Sequence, residues 1–377
     1  MDRRRFLKLG AAVGTAATLS PSPAWAQTEE GPRNLFHLTI EPVDYEMIDG
    51  TIVYMLFFFE GEHAHPPLEA LEGETIAIKV TNADTVPHGF AITGIPAASI
   101  ASIPPEQTRT VTFTAPFGGS YIYHDPLDAP INRLVGLYGA FVITPRLGTT
   151  PGGSPTPFSR DEQTAEVRFL FDALGRTERF RGNQWDPHDH ERDKIWLLSQ
   201  VDPLLNARVM RRESIDPASV RQTFLPRYFH INFVSGFDAA DHEELPAAKR
   251  AAAKLIEPEG KEGQPTILRC MNAGLCTHSL HIHGNPVFGT SNTNADGSPF
   301  CESNIFELDA WMLPPLVRRD MVLPFEKPFD AAVWPPKQEP FPMRYVMHCH
   351  TEMSNTAGGG NYPQGIVTHW EMTEPLP

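Results

Sequence analysis

The sequence has little cysteine, fewer basic than acidic residues, and no long apolar run beyond its first residues. Basic residues number 31 and acidic residues 46, which gives a formal net charge of −15. An acidic surface repels nucleic acid and anionic lipid, so neither is an expected partner. The apolar run TIVYMLFFFEG meets Glu60 too early to span a bilayer and is typical of a strand. The composition therefore excludes membrane insertion and is compatible with neutral or cationic small molecules.

The N-terminus has the three parts of an export signal. Arg3 and Arg4 precede Phe-Leu-Lys, a short apolar stretch follows, and Ala24-x-Ala26 provides a cleavage site. The twin arginine resembles a Tat signal, so we expect residues 1–26 to direct the folded chain to the periplasm. The alternative is a basic N-terminus of a cytoplasmic protein.

The few cysteines all lie in the second half of the chain. An oxidising compartment permits a disulfide between two of the first three, although the spacing leaves the connectivity open. The four positions are Cys270, Cys276, Cys301 and Cys349.

Proline and glycine separate short apolar and aromatic runs along the chain. Proline accounts for 37 of the 377 residues, about twice its usual share. Short alternating runs bounded by turn residues are typical of strands. We therefore predict an all-β chain of two domains.

Two blocks of sequence recur in the same order in each half. Each first block holds an alternating strand, an asparagine (Asn82 or Asn272) and a histidine-bearing strand. Each second block holds an aromatic strand that runs into a histidine, then a loop and a closing strand. An internal repeat of this kind indicates a duplicated domain. The predicted units are domain 1 at 27–145, a linker at 146–190 and domain 2 at 191–377.

Two shorter segments are predicted separately. AEVRFLFDAL in the linker is either a strand or a helix. Residues 238–260 are rich in Ala, Glu, Lys and Leu, which predicts a short helical insertion on the surface.

Two histidine motifs in the second half predict a metal site. THSLHIHG and HCH each place histidines two residues apart, so they share one face of a strand. Cys349 points to the opposite face, as His278 is expected to do. Imidazole and thiolate donors together favour copper over zinc.

These motifs resemble those of the multicopper oxidase superfamily, including its laccase and copper nitrite reductase branches. The resemblance implies two cupredoxin-like Greek-key β-sandwich domains. It also implies that His278 and Cys349 hold a type 1 copper. The remaining histidines would hold half of a three-copper cluster, and they are His281, His283, His348 and His350.

The second half departs from the family pattern after HCH. The second type 1 histidine is expected four residues before Gly365, where Asn361 stands instead. Met353 or Glu352 takes its place as a ligand, or Met353 packs in the core.

The first half departs further. His88 and His124 match family positions, but Asp125 replaces the type 1 cysteine. The other cluster positions are Ala91, Thr93 and Pro126, which do not bind copper. His63 and His65 either replace the lost ligands or lie in a solvated loop. We expect His63, His65 and His124 to complete the cluster, within one chain or across a homotrimer interface, with His88 the weakest candidate.

The other histidines are expected to be structural or solvated. Two of them lie in the charged linker, and the rest are isolated in sequence. They are His188 and His190, then His37, His230, His242 and His369.

The expected function is that of a copper-dependent oxidoreductase. Electrons would pass from a small-molecule or metal-ion donor through Cys349 and the adjacent His348 or His350 to O2. The alternatives are a copper nitrite reductase-like enzyme and a copper-poor scaffold or binding protein.

Overall fold

A computed structural model describes residues 34–240, 245, 250, 253, 255–328 and 340–376. The predicted signal at residues 1–26 and His242 lie outside this part of the chain. Within it, no helix has the length and apolarity required to cross a membrane.

The first domain is a sandwich of two five-stranded sheets. One sheet has the order β3-β2-β1-β5-β8 and the other β4-β10-β9-β6-β7. The strands are β1 (Leu35–Glu46), β2 (Ile52–Glu60), β3 (His63–Ala64), β4 (Leu68–Leu71), β5 (Thr75–Asn82), β6 (His88–Ile92), β7 (Ile95–Ile103), β8 (Thr108–Thr114), β9 (Gly119–His124) and β10 (Tyr138–Thr144).

The second domain repeats this plan. Its sheets have the orders β12-β11-β14-β21-β16-β19 and β13-β23-β22-β15-β20, with β17 paired to β18. The strands are β11 (Asp193–Val201), β12 (Tyr228–Ile231), β13 (Glu259–Gly260), β14 (Thr266–Asn272), β15 (His278–Ile282), β16 (Val287–Gly289), β17 (Ser291–Thr293), β18 (Pro299–Cys301), β19 (Glu307–Leu308), β20 (Ala310–Leu313), β21 (Arg318–Leu323), β22 (Met343–Cys349) and β23 (Val367–Met372). The predicted all-β fold of two cupredoxin-like sandwiches is confirmed.

Alternation along the strands builds each core. In β5, Ile76, Ile78 and Val80 are fully buried, while the residues between them face outward. A strand with period-two polarity buries one face against the opposing sheet. Each such side chain stabilises the fold by about 1.5–3 kcal/mol.

Asn82 and Asn272 occupy equivalent places and make equivalent hydrogen bonds. Each asparagine donates from Nδ2 to a backbone oxygen on the opposing sheet, Ile103 O in one domain and Leu313 O in the other, both at 2.8 Å. Each also accepts from the backbone N–H two residues later. The two halves thus share this local hydrogen-bond network as well as the plan of their sheets.

The helices are short and lie between strands. They are α1 (Ile131–Leu134), α2 (Ala165–Ala173), α3 (Pro203–Met210), α4 (Pro217–Thr223) and α5 (Gly236–Ala240).

The segment that joins the domains packs on the second one. The AEVRFLFDAL segment forms α2, and Thr164 caps it by accepting from Val167 N–H. Phe171 and Trp185 bury against Ile267 of β14 and the neighbouring strand. Of the insertion predicted at residues 238–260, residues 238–240 lie in α5 and 259–260 form β13. Residues 241–244, 246–249, 251, 252 and 254 of the segment lie outside the described residues.

The two domains share an apolar interface. Met55 and Phe57 of β2 pack with Leu197 of β11 and Met271 of β14. Beside this patch, Ser120 Oγ donates to Asp320 Oδ1 at 2.6 Å. The second domain thus covers the side of β9 that faces away from the first core.

Candidate metal centre

Four histidines cluster on the outer face of the sheet that contains β15 and β22. The two strands are antiparallel, with His281 directly opposite His348. Leu280 and Ile282, which flank His281, point into the core and are almost fully buried. Because neighbouring side chains in a strand point to opposite faces, His281 must face outward.

The four imidazoles lie close enough to share a metal. The ring centroid of His281 is 4.6 Å from those of His283 and His350, and 5.3 Å from that of His348. Ligand atoms of His281, His283 and His348 all lie within 4.8 Å of one another. No other group of three or more such donors occurs in the described part of the chain.

Hydrogen bonds orient the nitrogens of this cluster. His281 Nδ1 donates to Asp309 O at 2.6 Å, which leaves the Nε2 lone pair of a neutral ring for a metal. The Nε2 atoms of His283 and His348 face each other at 3.3 Å. Since imidazole nitrogens bind metals at about 2 Å, one ion fits between these two atoms.

The cluster favours neutral, metal-binding imidazoles. Burial lowers the pKa of His283, and the positive charges of His281 and His350 would lower it further. The pKa of His348 is lowered for the same reasons. Protonating several of these neighbouring imidazoles is unfavourable because their positive charges repel one another. The unprotonated rings are the form that binds a cation such as copper.

The face around the histidines is open and partly apolar. Met312 of β20 and Val346 of β22 lie on the same face and are 54% and 45% exposed. Exposed apolar side chains grouped beside a functional cluster are typical of an interaction surface.

On the opposite face of the sheet, the structure brings together His278 and Cys349. His278 Nδ1 lies 3.5 Å from Cys349 Sγ, and both residues are fully buried. Burial lowers the pKa of His278 to about 4, so the ring is neutral. Gln200 of β11 contacts the other ring nitrogen, and the sequence patterns had not indicated this residue.

Met353 does not join this pair. Its side chain is 46% exposed, so it is neither a buried ligand beside Cys349 nor a core residue. Glu352 is exposed as well. Instead the buried Asn355 accepts from Cys349 N–H and donates to Cys349 O, which fixes the loop after HCH.

The equivalent position in the first domain holds an ion network. His88 is fully buried between Asp125 Oδ2, 2.8 Å from Nδ1, and Asp84 Oδ2, 3.0 Å from Nε2. Asn132 also donates to Asp125. Burial alone would lower the pKa of His88, but hydrogen bonds and charges from Asp125 and Asp84 outweigh it and raise the pKa. With both nitrogens committed to carboxylates, His88 is not a metal ligand, which corrects the expectation.

In the described part of the chain, the expected first-domain ligands are not among the donors that group with His281, His283 and His348. His65 is buried at the domain interface, with its ring stacked on Phe233 at 3.3 Å and its Nδ1 3.1 Å from Tyr138 O. His63 is exposed on the edge strand β3, and His124 ends β9 opposite Tyr138. Stacking on aromatic rings gives His65 a structural role within the chain, and its expected role as a ligand stays a prediction.

The remaining histidines are structural or lie at the surface. His369 Nε2 pairs with Glu257 Oε1 at 3.0 Å, and His230 packs edge-on against Tyr45. His37 and His188 are exposed. All four cysteines are free, so the disulfide that the sequence allowed does not form.

Comparison with known proteins shows which proteins share this architecture. Residues 40–148 match the model of the multicopper oxidase family. This match covers most of the first domain, which is thus similar to a multicopper oxidase domain. Among curated proteins, none matches the chain significantly by sequence.

Solved structures share the whole two-domain fold. A blue copper oxidase from Nitrosomonas europaea is 19% identical over 90% of this chain and 85% of its own, with a TM-score of 0.61. The multicopper oxidase mgLAC is 18% identical over 91% of this chain and 87% of its own, at 0.59. A copper-containing nitrite reductase from Thermus scotoductus is 17% identical over 90% of this chain and 61% of its own, at 0.56.

At these identities the structural likeness establishes the fold. The family match and the four-imidazole donor set together support copper as the metal and a copper-dependent oxidoreductase as the class of enzyme.

Proposed function

We propose that this protein is an exported copper oxidoreductase that oxidises a small reducing substrate at the four-histidine cluster and passes the electrons to O2. The observation that carries the proposal is the convergence of His281, His283 and His348, with ligand atoms within 4.8 Å of one another.

The chain's own residues hold the metal and leave it accessible. Copper, when bound, supplies one-electron redox chemistry and an open coordination position. His281, fixed by Asp309 O, presents Nε2, while His283 and His348 present facing nitrogens. His350 stacks on His348 at 5.0 Å and keeps that ring in place.

Electrons enter at the cluster itself in this proposal. His283 and His350 are exposed, whereas Cys349 and His278 are fully buried beneath the sheet. A small donor and O2 therefore reach the histidines directly, and no step passes through Cys349. The net charge of −15 favours neutral or cationic donors.

The open face supports assembly with further copies of the chain. Four histidines on one sheet face leave a bound metal exposed on its other side. Met312 and Val346 add apolar surface next to them. We therefore place a second copy over this face, in a homotrimer, with the exposed His63 as the first-domain histidine that a neighbour offers.

A nitrite reductase-like reaction is the second candidate. The nitrogens of His281, His283 and His348 form one group of three ligands. Three ligands suit a single metal ion better than a cluster of three ions. A mononuclear centre of this kind would reduce nitrite by one electron. The two candidate reactions can be told apart by assay, because nitrite reduction releases nitric oxide whereas the oxidase reaction consumes O2.

Copper content and turnover test the proposal together. Protein matured with copper is assayed for bound metal, O2 uptake with phenolic and metal-ion donors, and nitric oxide from nitrite. We expect bound copper and O2 uptake, both lost in His281→Ala/His350→Ala. The control His188→Ala removes an exposed histidine outside the cluster and keeps both.

The other outcomes contradict the proposal in different ways. A folded native protein with almost no copper is a scaffold. Copper with nitric oxide production and no O2 uptake identifies the nitrite reaction instead. Unchanged copper in the folded double variant removes the cluster as the site.

A further inference from the structure

Gln200 makes hydrogen bonds that fix the orientation of its amide. Its Oε1 accepts from two backbone N–H groups, Leu275 at 2.7 Å and Cys276 at 3.0 Å. A carbonyl oxygen accepts and an amide nitrogen only donates, so the oxygen must face these two groups. The NH2 group is thereby directed at His278 Nε2, 2.5 Å away.

This orientation decides the tautomer of His278. Because the Gln200 NH2 donates, His278 Nε2 must accept and carries no proton. A neutral imidazole then carries its proton on Nδ1. Nδ1 is the nitrogen that faces Cys349 Sγ, at 3.5 Å.

We infer that Gln200 closes the Cys349–His278 position to copper. A metal shared by these two residues needs the lone pair of Nδ1, whereas Nδ1 donates its proton towards the sulfur. If the proton were on Nε2 instead, its N–H would face the N–H groups of the Gln200 amide, and neither group could accept a hydrogen bond. The pair is a buried, metal-free hydrogen bond that holds β15 to β22, which replaces the expectation of an altered type 1 copper here.

A glycine, Gly274, lies directly against the Gln200 amide. A Cβ atom built on Gly274 would lie 1.9 Å from Gln200 Oε1, so no side chain fits there. Gly274 follows Asn272 by two residues, as Asp84 follows Asn82 in the first domain. Asp84 carries the carboxylate that meets His88 Nε2.

The two domains therefore present opposite partners to equivalent histidines. Asp84 accepts from His88 Nε2, whereas Gln200 donates to His278 Nε2. Both arrangements commit the nitrogen on the far side of the ring. This inference stands apart from the proposed function, because the copper at the surface cluster does not depend on it.

The tautomer is measured directly in the native protein. Nitrogen-15 NMR of the metal-free protein, with His278 assigned by comparison with His278→Gln, reports which ring nitrogen carries the proton. We expect a protonated Nδ1 and an unprotonated Nε2. A protonated Nε2 would overturn the inference whatever the enzyme's activity.

An isosteric variant tests the consequence for copper. In Gln200→Glu one carboxylate oxygen keeps both backbone N–H bonds, and the other accepts from His278 Nε2. Nδ1 then offers a lone pair next to Cys349. Copper(II)-loaded native protein should show no thiolate-to-copper absorption band, and Gln200→Glu should gain one and bind about one more copper.

A second substitution identifies the sulfur. The new band must disappear in Gln200→Glu/Cys349→Ser, while copper at the surface cluster is retained. A native band that Cys349→Ser abolishes contradicts the inference, because the position would already be open to copper.

Discussion

Asp125 Oδ2 lies 2.8 Å from His88 Nδ1, in the first-domain place where Cys349 faces His278 in the second. The backbone N–H groups of Gly89 and Leu127 both donate to Asp125 Oδ1 at 2.8 Å. A carboxylate with this many donors is stable in a buried site only as a unit with its cation. The first domain thus has an ion network where the second domain has the Cys349–His278 pair.

Removing Asp125 should unfold the first domain more easily. Asp125→Ala leaves His88 Nδ1 and the backbone N–H groups of Gly89 and Leu127 without their acceptor, and breaking a buried pair costs about 3–5 kcal/mol. Chemical denaturation measures the loss in unfolding free energy. The exposed Asp161→Ala is the control and should change it by less than about 0.5 kcal/mol. Equal stability of the two variants would show that the network contributes nothing.

The His88 network should weaken in alkali. The folded pKa of His88 is raised, so its stabilisation is full below the unfolded value of about 6.5 and is lost as pH rises through the folded value. The pKa of Asp84 is lowered to about 2, so its share is lost only as pH falls towards that value. The native protein should therefore exceed His88→Gln in unfolding free energy by more at about pH 6 than at about pH 9. A difference that grows with pH would show that the folded pKa of His88 is lowered rather than raised.

Copper at the cluster should depend on His283 as well as on His281. His283→Ala removes one of the two nitrogens that face each other at 3.3 Å. We expect copper affinity to fall more than about tenfold, as measured by competition with a chelator of known affinity. The exposed His37→Ala should retain native affinity. Equal affinity of the two variants would place the metal elsewhere.

His65 should be replaceable by an aromatic residue. Its ring stacks on Phe233, which in turn stacks on Tyr138, and burial holds the pKa of His65 well below the usual range, so it is neutral. His65→Phe keeps the stacking and loses one hydrogen bond, which costs about 1 kcal/mol. Copper content should be unchanged, whereas a ligand role for His65 predicts a loss of copper.

The surface beside the cluster should mediate assembly. Val346→Lys/Met312→Lys adds charge to the face that we assign to a second copy. Light scattering coupled to size exclusion should show smaller species than for the native protein, together with weaker copper retention. Phe169→Lys changes a side chain that is 76% exposed on α2 and should leave the assembly intact. A native protein that is monomeric at all concentrations excludes the homotrimer.

Much of the fold and cluster could be predicted because both depend on short-range periodicity. Period-two spacing put His281 and His283 on one face, and the repeat around Asn82 and Asn272 disclosed the duplication. The structure confirms the fold because a sandwich strand must bury every second residue.

The contact between Gln200 and His278 could not be predicted from the motifs. Gln200 lies 78 residues before His278 in the chain, and the two meet only because β11 pairs in parallel with β14. The contrast between Asp84 and Gly274 was visible in the aligned repeats and was the one available signal. The position of His65 could not be predicted because its partner Phe233 comes from the other domain, and sequence spacing carries no information about that contact.

The paired asparagines bear on how the protein acquires its metal. The side chains of Asn82 and Asn272 donate to backbone oxygens of the opposing sheet, so each sandwich is joined across its two sheets by contacts that include no metal ligand. Copper bound at the surface cluster would still add to the stability of the folded state, but folding would not require it. We therefore expect that copper can be added to, or removed from, the folded chain, so that its metal content depends on the supply of copper.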